Sequence, residues 1–174
     1  MITVKEIGQN ACKAKRQAAR LTTQQKNEIL LLAARLLREK APAILAANQE
    51  DMALAKANRM PAGLQDRLAL TKERIDAIAS GMEEVAALPD PVGEVLSMKK
   101  RPNGLLIGKK RVPLGVVAVI YEARPNVTAD VFALCFKTGN ASILKGGRDA
   151  AHSNQAIAQV LRQALEEAGL DPNL

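Results

Sequence analysis

Residues 111–148, RVPLGVVAVIYEARPNVTADVFALCFKTGNASILKGGR, restrict the fold more than any other stretch of the chain. Positions 116–121 form an almost unbroken apolar, β-branched run, the pattern of a strand buried on both faces of a parallel sheet. A polar turn at 122–126 follows, then a short helix whose interior, Val131, Phe132, Leu134 and Cys135, is apolar nearly all round. Gly139-Asn140 supplies the left-handed residue that ends such a helix. Positions 141–145 read as a second short buried strand running into Gly146-Gly147, where the backbone can approach a ligand closely. Strand, turn, helix, strand, glycines and a further helix make a βαβα unit. A right-handed crossover then places both loops at the carboxyl edge of one sheet, where open parallel sheets bind nucleotides.

Upstream the pattern is helical. Residues 3–20 alternate apolar and basic positions, and Thr22 with Gln25 makes a capping box for a second helix carrying Ile29, Leu32, Ala33, Leu36 and Leu37 on one face. Pro42 suits the first turn of a third helix ending at Ala57, and Pro61 and Gly63 interrupt the pattern. A short helix at 64–68 precedes Thr71, which caps a helix with the stripe Ile75, Ile78, Ala79, Met82, Val85 and Ala86; Pro89 and Pro91 end it. Between 92 and 112 the period becomes extended, and Pro102-Asn103-Gly104 separates two runs as the turn of a hairpin. An isolated hairpin is marginal in water, so this one must lean on its own domain or on a neighbouring subunit. After Gly147, Asp149 can cap a last helix with the stripe Ile157, Val160, Leu161, Ala164, Leu165 and Ala168, closed by Gly169 and Pro172. The sequence stops at Leu174 with only two strands of the parallel sheet, so the chain is expected to be cut from something longer.

With 174 residues, 48% of them apolar, and two cysteines, the chain can build one domain with a real core. No repeat, signal peptide or membrane-length apolar stretch is evident, and a cytoplasmic protein is expected. Cys12 and Cys135 fall in helical patterns, and the apolar surroundings of Cys135 make its thiol inert. The net charge of +7 includes a cluster at Lys99, Lys100, Arg101, Lys109, Lys110 and Arg111, which leaves a nucleic-acid-binding hairpin as an alternative. At 2% aromatic residues the chain lacks stacking platforms, and the cluster reads better as a solvated face, with no nucleic acid and no metal bound. His152, the single histidine, reads as a surface or cap residue.

The run PLGVVAVIYEARPNVTADVFALCFKTGNASILKGGRDAAHSN, with RLALTKERIDAIASGMEEVAALPDPVGEV before it, closely resembles the front of the cofactor domain of the gamma-glutamyl phosphate reductases (glutamate-5-semialdehyde dehydrogenases), a branch of the aldehyde dehydrogenase superfamily. The resemblance covers the whole chain and implies an α/β fold. Its parts are an N-terminal helical layer (1–91), a β-hairpin arm for homo-oligomerisation (92–112) and the start of a Rossmann-like NADP-binding domain (113–174), incomplete at its end. It implies NADPH-dependent reduction of L-glutamyl 5-phosphate to the semialdehyde through a cysteine thioester, in proline biosynthesis. It further implies that the nucleophilic cysteine lies outside this chain and that glutamate 5-kinase is a partner.

Residue by residue, the resemblance makes Asn126 an oxyanion donor, although the residue alone would suit a helix N-cap. Lys145 reaches the adenosine ribose, while Gly146, Gly147 and Arg148 lie where a 2′-phosphate approaches. Tyr121, Glu122 and Ala123 flank the cofactor's nicotinamide end, and Arg124 with Asn126 meets the substrate; a structural ion pair is the other reading of Arg124. Lys-Gly-Gly-Arg is not a G-x-G-x-x-G fingerprint and names no dinucleotide by itself. A non-catalytic nucleotide-binding or assembly module remains the second alternative, and the isolated chain is expected to be catalytically silent.

Overall fold

The computed structural model describes residues 3–174. Helices α1 (Val4–Ala18), α2 (Thr23–Glu39), α3 (Ala41–Ala57), α4 (Ala62–Leu68) and α5 (Lys72–Ala87) come first, followed by the hairpin strands β1 (Val95–Lys100) and β2 (Leu106–Lys110). The chain continues with β3 (Val116–Ile120), α6 (Asn126–Lys137), β4 (Ala141–Lys145), a 3-10 turn (Arg148–Ala150) and α7 (Ala151–Glu167).

Local chemistry sets the helix boundaries. Thr22 accepts the Gln25 N–H at 3.2 Å while Gln25 accepts the Thr22 N–H at 2.9 Å, the capping box expected from the sequence. Thr3 and Glu6 make a second such box at the start of α1 that the sequence reading did not single out. Thr71 caps α5 through the Arg74 N–H at 3.2 Å. Helix α2 packs along α5, and α3 along α7. Their stripes supply Leu30, Leu37, Ile44, Ile75, Met82, Ile157 and Leu165, each at most 2% exposed, to a core that α6 joins through the stacked rings of Phe132 and Phe136. Each such side chain contributes about 1.5–3 kcal/mol on burial.

A polar network runs through this core. Lys26, 1% exposed, pairs with Asp90 at 2.6 Å and reaches the Lys137 carbonyl at 3.3 Å. Lys137, also buried, donates to Asn27 Oδ1 at 2.6 Å and to the Ala86 carbonyl at 2.8 Å. Asp90 also accepts from Thr23 Oγ1 at 3.0 Å and the Val92 N–H at 2.9 Å, so every polar group in the cluster has a partner. The network ties the start of α2 and the end of α5 to the end of α6.

Strands β3 and β4 pair in parallel from Val116↔Ala141 to Ile120↔Lys145, as the βαβ pattern requires. The expectation that β3 is buried on both faces is corrected: Ala118 is exposed and Ile120 is 84% exposed. Among the described residues the sheet is two strands wide, so α1 and α6 cover it only in part. Leu134 likewise stands 53% exposed, and α6 is not apolar-packed all round.

The hairpin is antiparallel, with Met98 opposite Gly108 and a register irregularity between Val95 and Ser97. Its turn is not a two-residue Asn-Gly turn. Only Gly104 takes a positive φ (+86°), and Arg101 donates to the Leu105 carbonyl at 2.8 Å across a three-residue loop. A primed two-residue turn would need two left-handed residues, and Asn103 is not one. Every residue of both strands is exposed.

The start of α7 differs from expectation. Asp149 falls in the 3-10 turn and caps nothing; the N-cap position is Ala150. Asp51 of α3, 1% exposed, takes over the role from outside. It accepts the N–H groups of His152 (3.2 Å) and Ser153 (2.8 Å), Ser153 Oγ (2.6 Å) and His152 Nδ1 (2.7 Å). Ala168, expected in the α7 stripe, is the exposed C-cap, and Gly169 (φ +72°) ends the helix.

Candidate functional site

The parallel pairing brings the loop at 121–125 against the segment at 146–150, and the Tyr121 N–H donates to the Lys145 carbonyl at 3.1 Å. Their contact explains both glycines. A Cβ at Gly147 would lie 3.1 Å from the Ala123 nitrogen and 3.2 Å from the Glu122 carbonyl carbon. One at Gly146 would lie 2.1 Å from Asn154 Nδ2 and 3.2 Å from the Tyr121 ring. The space that a side chain would take at these glycines is thus filled by the chain itself. Because the obstacle at Gly147 is backbone, Gly147→Ala should cost about 1–3 kcal/mol, read as a lowered urea midpoint. An unchanged midpoint would show that the two loops separate freely.

Tyr121 is held from below. Thr128 Oγ1 donates to Asn154 Oδ1 at 3.0 Å, and having one proton it must accept from the Tyr121 hydroxyl at 2.7 Å. Burial pushes the Tyr121 hydroxyl pKa up against the smaller opposing effect of Thr128, so Tyr121 stays neutral with its O–H directed inward. Thr128 and Asn154 were not singled out from the sequence; their signal is a polar residue in the first turn or so of each of the two helices of the βαβα unit.

Asn126 is the first residue of α6, not its cap: the N-cap is Pro125, in helical conformation and without a side-chain bond. The Asn126 amide donates to Asp130 Oδ2 at 3.0 Å instead, leaving its second N–H uncommitted. Desolvation pushes the Asp130 carboxyl up, against the pull of that bond. Arg124 is exposed and, among the described residues, forms none of the ion pairs, so its structural reading finds no partner here. Arg124, Asn126 and Asp130 line one wall of an open cleft of about 560 Å³ whose other wall comes from α4 and α5.

Lys145 and Arg148 are exposed on the adjoining segment, and the Lys145 ammonium donates to the Gly146 carbonyl at 2.9 Å. Two cations that form no ion pair among the described residues, beside a backbone turn, fit a phosphate-bearing ligand. Glu122 is exposed and Ala123 half-buried in the facing loop. Neither cysteine lines the cleft. Cys12 is exposed on α1, whereas Cys135 is buried with its thiol pKa raised by desolvation, the inert environment expected of it. Among the described residues no group of three His, Cys, Asp or Glu side chains could hold a metal, and no helix is long and apolar enough to cross a membrane.

This architecture, helices followed by a hairpin and a parallel βαβα unit with a cleft at its carboxyl edge, defines a class. The profile of the Aldehyde dehydrogenase family matches residues 2–174, and the chain belongs to that family. Within it, the chain is 53% identical over its 174 residues to the gamma-glutamyl phosphate reductase of Lachnospira eligens, of which it spans 42%. It also superposes on crystal structures of two proteins of that name. The Thermotoga maritima protein gives a TM-score of 0.94 at 39% identity, over 97% of this chain and 41% of that one. The Saccharomyces cerevisiae protein gives 0.89 at 33%, over 96% and 42%. The chain therefore spans about two fifths of the length of these relatives.

Proposed function

We propose that this sequence forms the cofactor-side part of an enzyme that reduces L-glutamyl 5-phosphate to L-glutamate 5-semialdehyde and phosphate, in proline biosynthesis in the cytoplasm. The observation that supports this reading is the contact of the 121–125 and 146–150 segments, which brings the loop carrying Arg124 and the segment carrying Lys145 and Arg148 to one sheet edge. In the reaction a cysteine thiolate attacks the acyl carbon, phosphate leaves, and the thioester is reduced. NADPH, when bound, supplies the two electrons and hydrogen for that reduction. Lys145 and Arg148 would hold its phosphate-bearing adenosine end, with Tyr121, Glu122 and Ala123 shaping the approach to the nicotinamide end. Arg124 meets the substrate's phosphate, and the uncommitted Asn126 N–H stabilises the oxyanion of both tetrahedral steps. Neither Cys12 nor Cys135 suits the nucleophile's role, so the chain by itself is catalytically silent.

The organisation that fits is a helical layer (1–91), an arm (92–112) and a Rossmann-like unit (113–174). The arm reading is supported by Leu96, Met98, Leu106 and Ile107, which are 44–66% exposed on the hairpin and call for cover from a second copy. Glutamate 5-kinase, which makes the labile acyl phosphate, is the further partner this reading implies.

The test joins this sequence to the remaining part of the Lachnospira eligens relative and follows phosphate-dependent oxidation of glutamate 5-semialdehyde. Turnover should be faster with NADP⁺ than with NAD⁺, and Asn126→Ala should lower kcat about 10²–10³-fold with little change in KM for NADP⁺. Near-normal turnover of the variant would remove Asn126 from the chemistry, and a preference for NAD⁺ would remove the role given to Arg148.

A further inference from the structure

The wall of the cleft that faces Arg124 and Asn126 carries two more arginines, and they differ in what they are free to do. Arg74 is committed: its guanidinium pairs with Asp66 Oδ1 at 2.8 Å and donates to the Ala69 carbonyl at 2.8 Å. Arg67 is exposed and, among the described residues, has no ion-pair or side-chain hydrogen-bond partner. Its backbone is nonetheless fixed. The next residue, Leu68, is 0% exposed, its carbonyl accepts from buried Asn48 Nδ2 at 2.9 Å, and the Leu70 N–H donates to Asn48 Oδ1 at 2.8 Å. An uncommitted cation on a rigid mount is thus held across a cleft from a second one, Arg124.

With Arg74 and Asp66 cancelling, Arg67 and Arg124 stand against Asp130 alone, and the cleft keeps a net positive charge. A glutamyl phosphate carries two anionic groups at opposite ends of a short chain, and the reading above places only the phosphate end, at Arg124 and Asn126. We infer that Arg67 receives the α-carboxylate of the amino-acid substrate and so selects an acyl group bearing one. This rests on the proposed function and adds a specificity residue to it. A guanidinium suits the task because its planar fork matches a carboxylate in two parallel hydrogen bonds.

The experiment uses the 174-residue chain with ¹⁵N label, observing the Nε–H resonances of Arg67 and Arg124 and the side-chain amide of Asn126 during titration with L-glutamate, its α-amide and inorganic phosphate. L-Glutamate should move the Arg67 signal saturably, the α-amide should not, and phosphate should move Arg124 and Asn126 in preference to Arg67. Arg67→Gln should weaken L-glutamate binding at least about tenfold, with spectral dispersion kept, and Arg67→Lys should restore part of it. Shifts at Arg124 and Asn126 with Arg67 silent would overturn the assignment of Arg67 alone. No shift at any of the three with any ligand would overturn the functional reading together with it. Equal response of Arg67 to phosphate and L-glutamate would make it a general anion contact and overturn the selectivity.

Discussion

Replacing Lys26 with methionine should destabilise the protein by about 3–5 kcal/mol, because it leaves the Asp90 carboxylate buried without its counter-charge. The two side chains are 2% and 8% exposed and 2.6 Å apart, so little water is available to take over the lost interaction. Asp90→Asn should cost a similar amount, since Lys26 would then face the Lys137 carbonyl and a neutral amide beside a second buried lysine. A Lys26→Met/Asp90→Leu double variant should recover much of the loss, as apolar replacements of buried pairs often do. The measure is the urea midpoint at constant slope, and singles within 1 kcal/mol (roughly) of the parent would show the pair to be solvated. The acid limb follows in sign. Burial pushes the Asp90 carboxyl up, but its bonds from Lys26, the Val92 N–H and Thr23 outweigh this and bring it below the ordinary range. Its contribution is therefore complete above about pH 4, the unfolded value, and is lost as pH falls through the lower folded value.

That pair marks where the sequence stops being informative. A stripe such as Ile75, Ile78, Ala79, Met82 announces its helix because the spacing and the burial share one cause, and four of its residues are at most 7% exposed. Lys26 carries the opposite signal: a cation reads as solvent-facing, and only a carboxylate 64 positions away makes its burial tolerable. The same distance effect separates Asp149 from Asp51. Local reading finds the acid nearest the helix start, whereas the acid that binds there comes from α3, about 100 residues earlier in the chain. Strand β3 was legible as a strand from its β-branched run, yet its burial was not, because cover belongs to neighbouring elements and not to the run. At the site the motif located both loops, but the reason for Gly146 and Gly147 lies in Asn154 and in the facing backbone, which no spacing rule displays.

Asp51 carries the second large effect. Removing its carboxylate in Asp51→Ala strands the buried Ser153 N–H and hydroxyl together with the part-buried His152 N–H and ring Nδ1, and should cost about 3 kcal/mol or more. The damage should be local before it is global. Amide exchange at His152 and Ser153 should speed up more than at Leu161 or Leu165 further along α7, because the lost bonds anchor only its first turn. Ser153→Ala, which keeps the carboxylate, should cost less. Titration adds a check with its own sign. The hydrogen bond to Asp51 raises the pKa of His152, against a smaller effect of desolvation and with help from the charges of Asp51 and Glu50, whose carboxylate lies 3.6 Å from Nε2. The folded value thus exceeds the unfolded one, and the pair's contribution is complete below about pH 6.5 and fades as pH rises through the folded value. The difference in thermal midpoint between the parent and His152→Gln should accordingly be larger at about pH 5.5, below the unfolded value, than at about pH 8.5, above it. A difference that stays constant across that range would mean that His152 holds Asp51 as a neutral donor, and that Asp51 anchors α7 without help from a histidine charge.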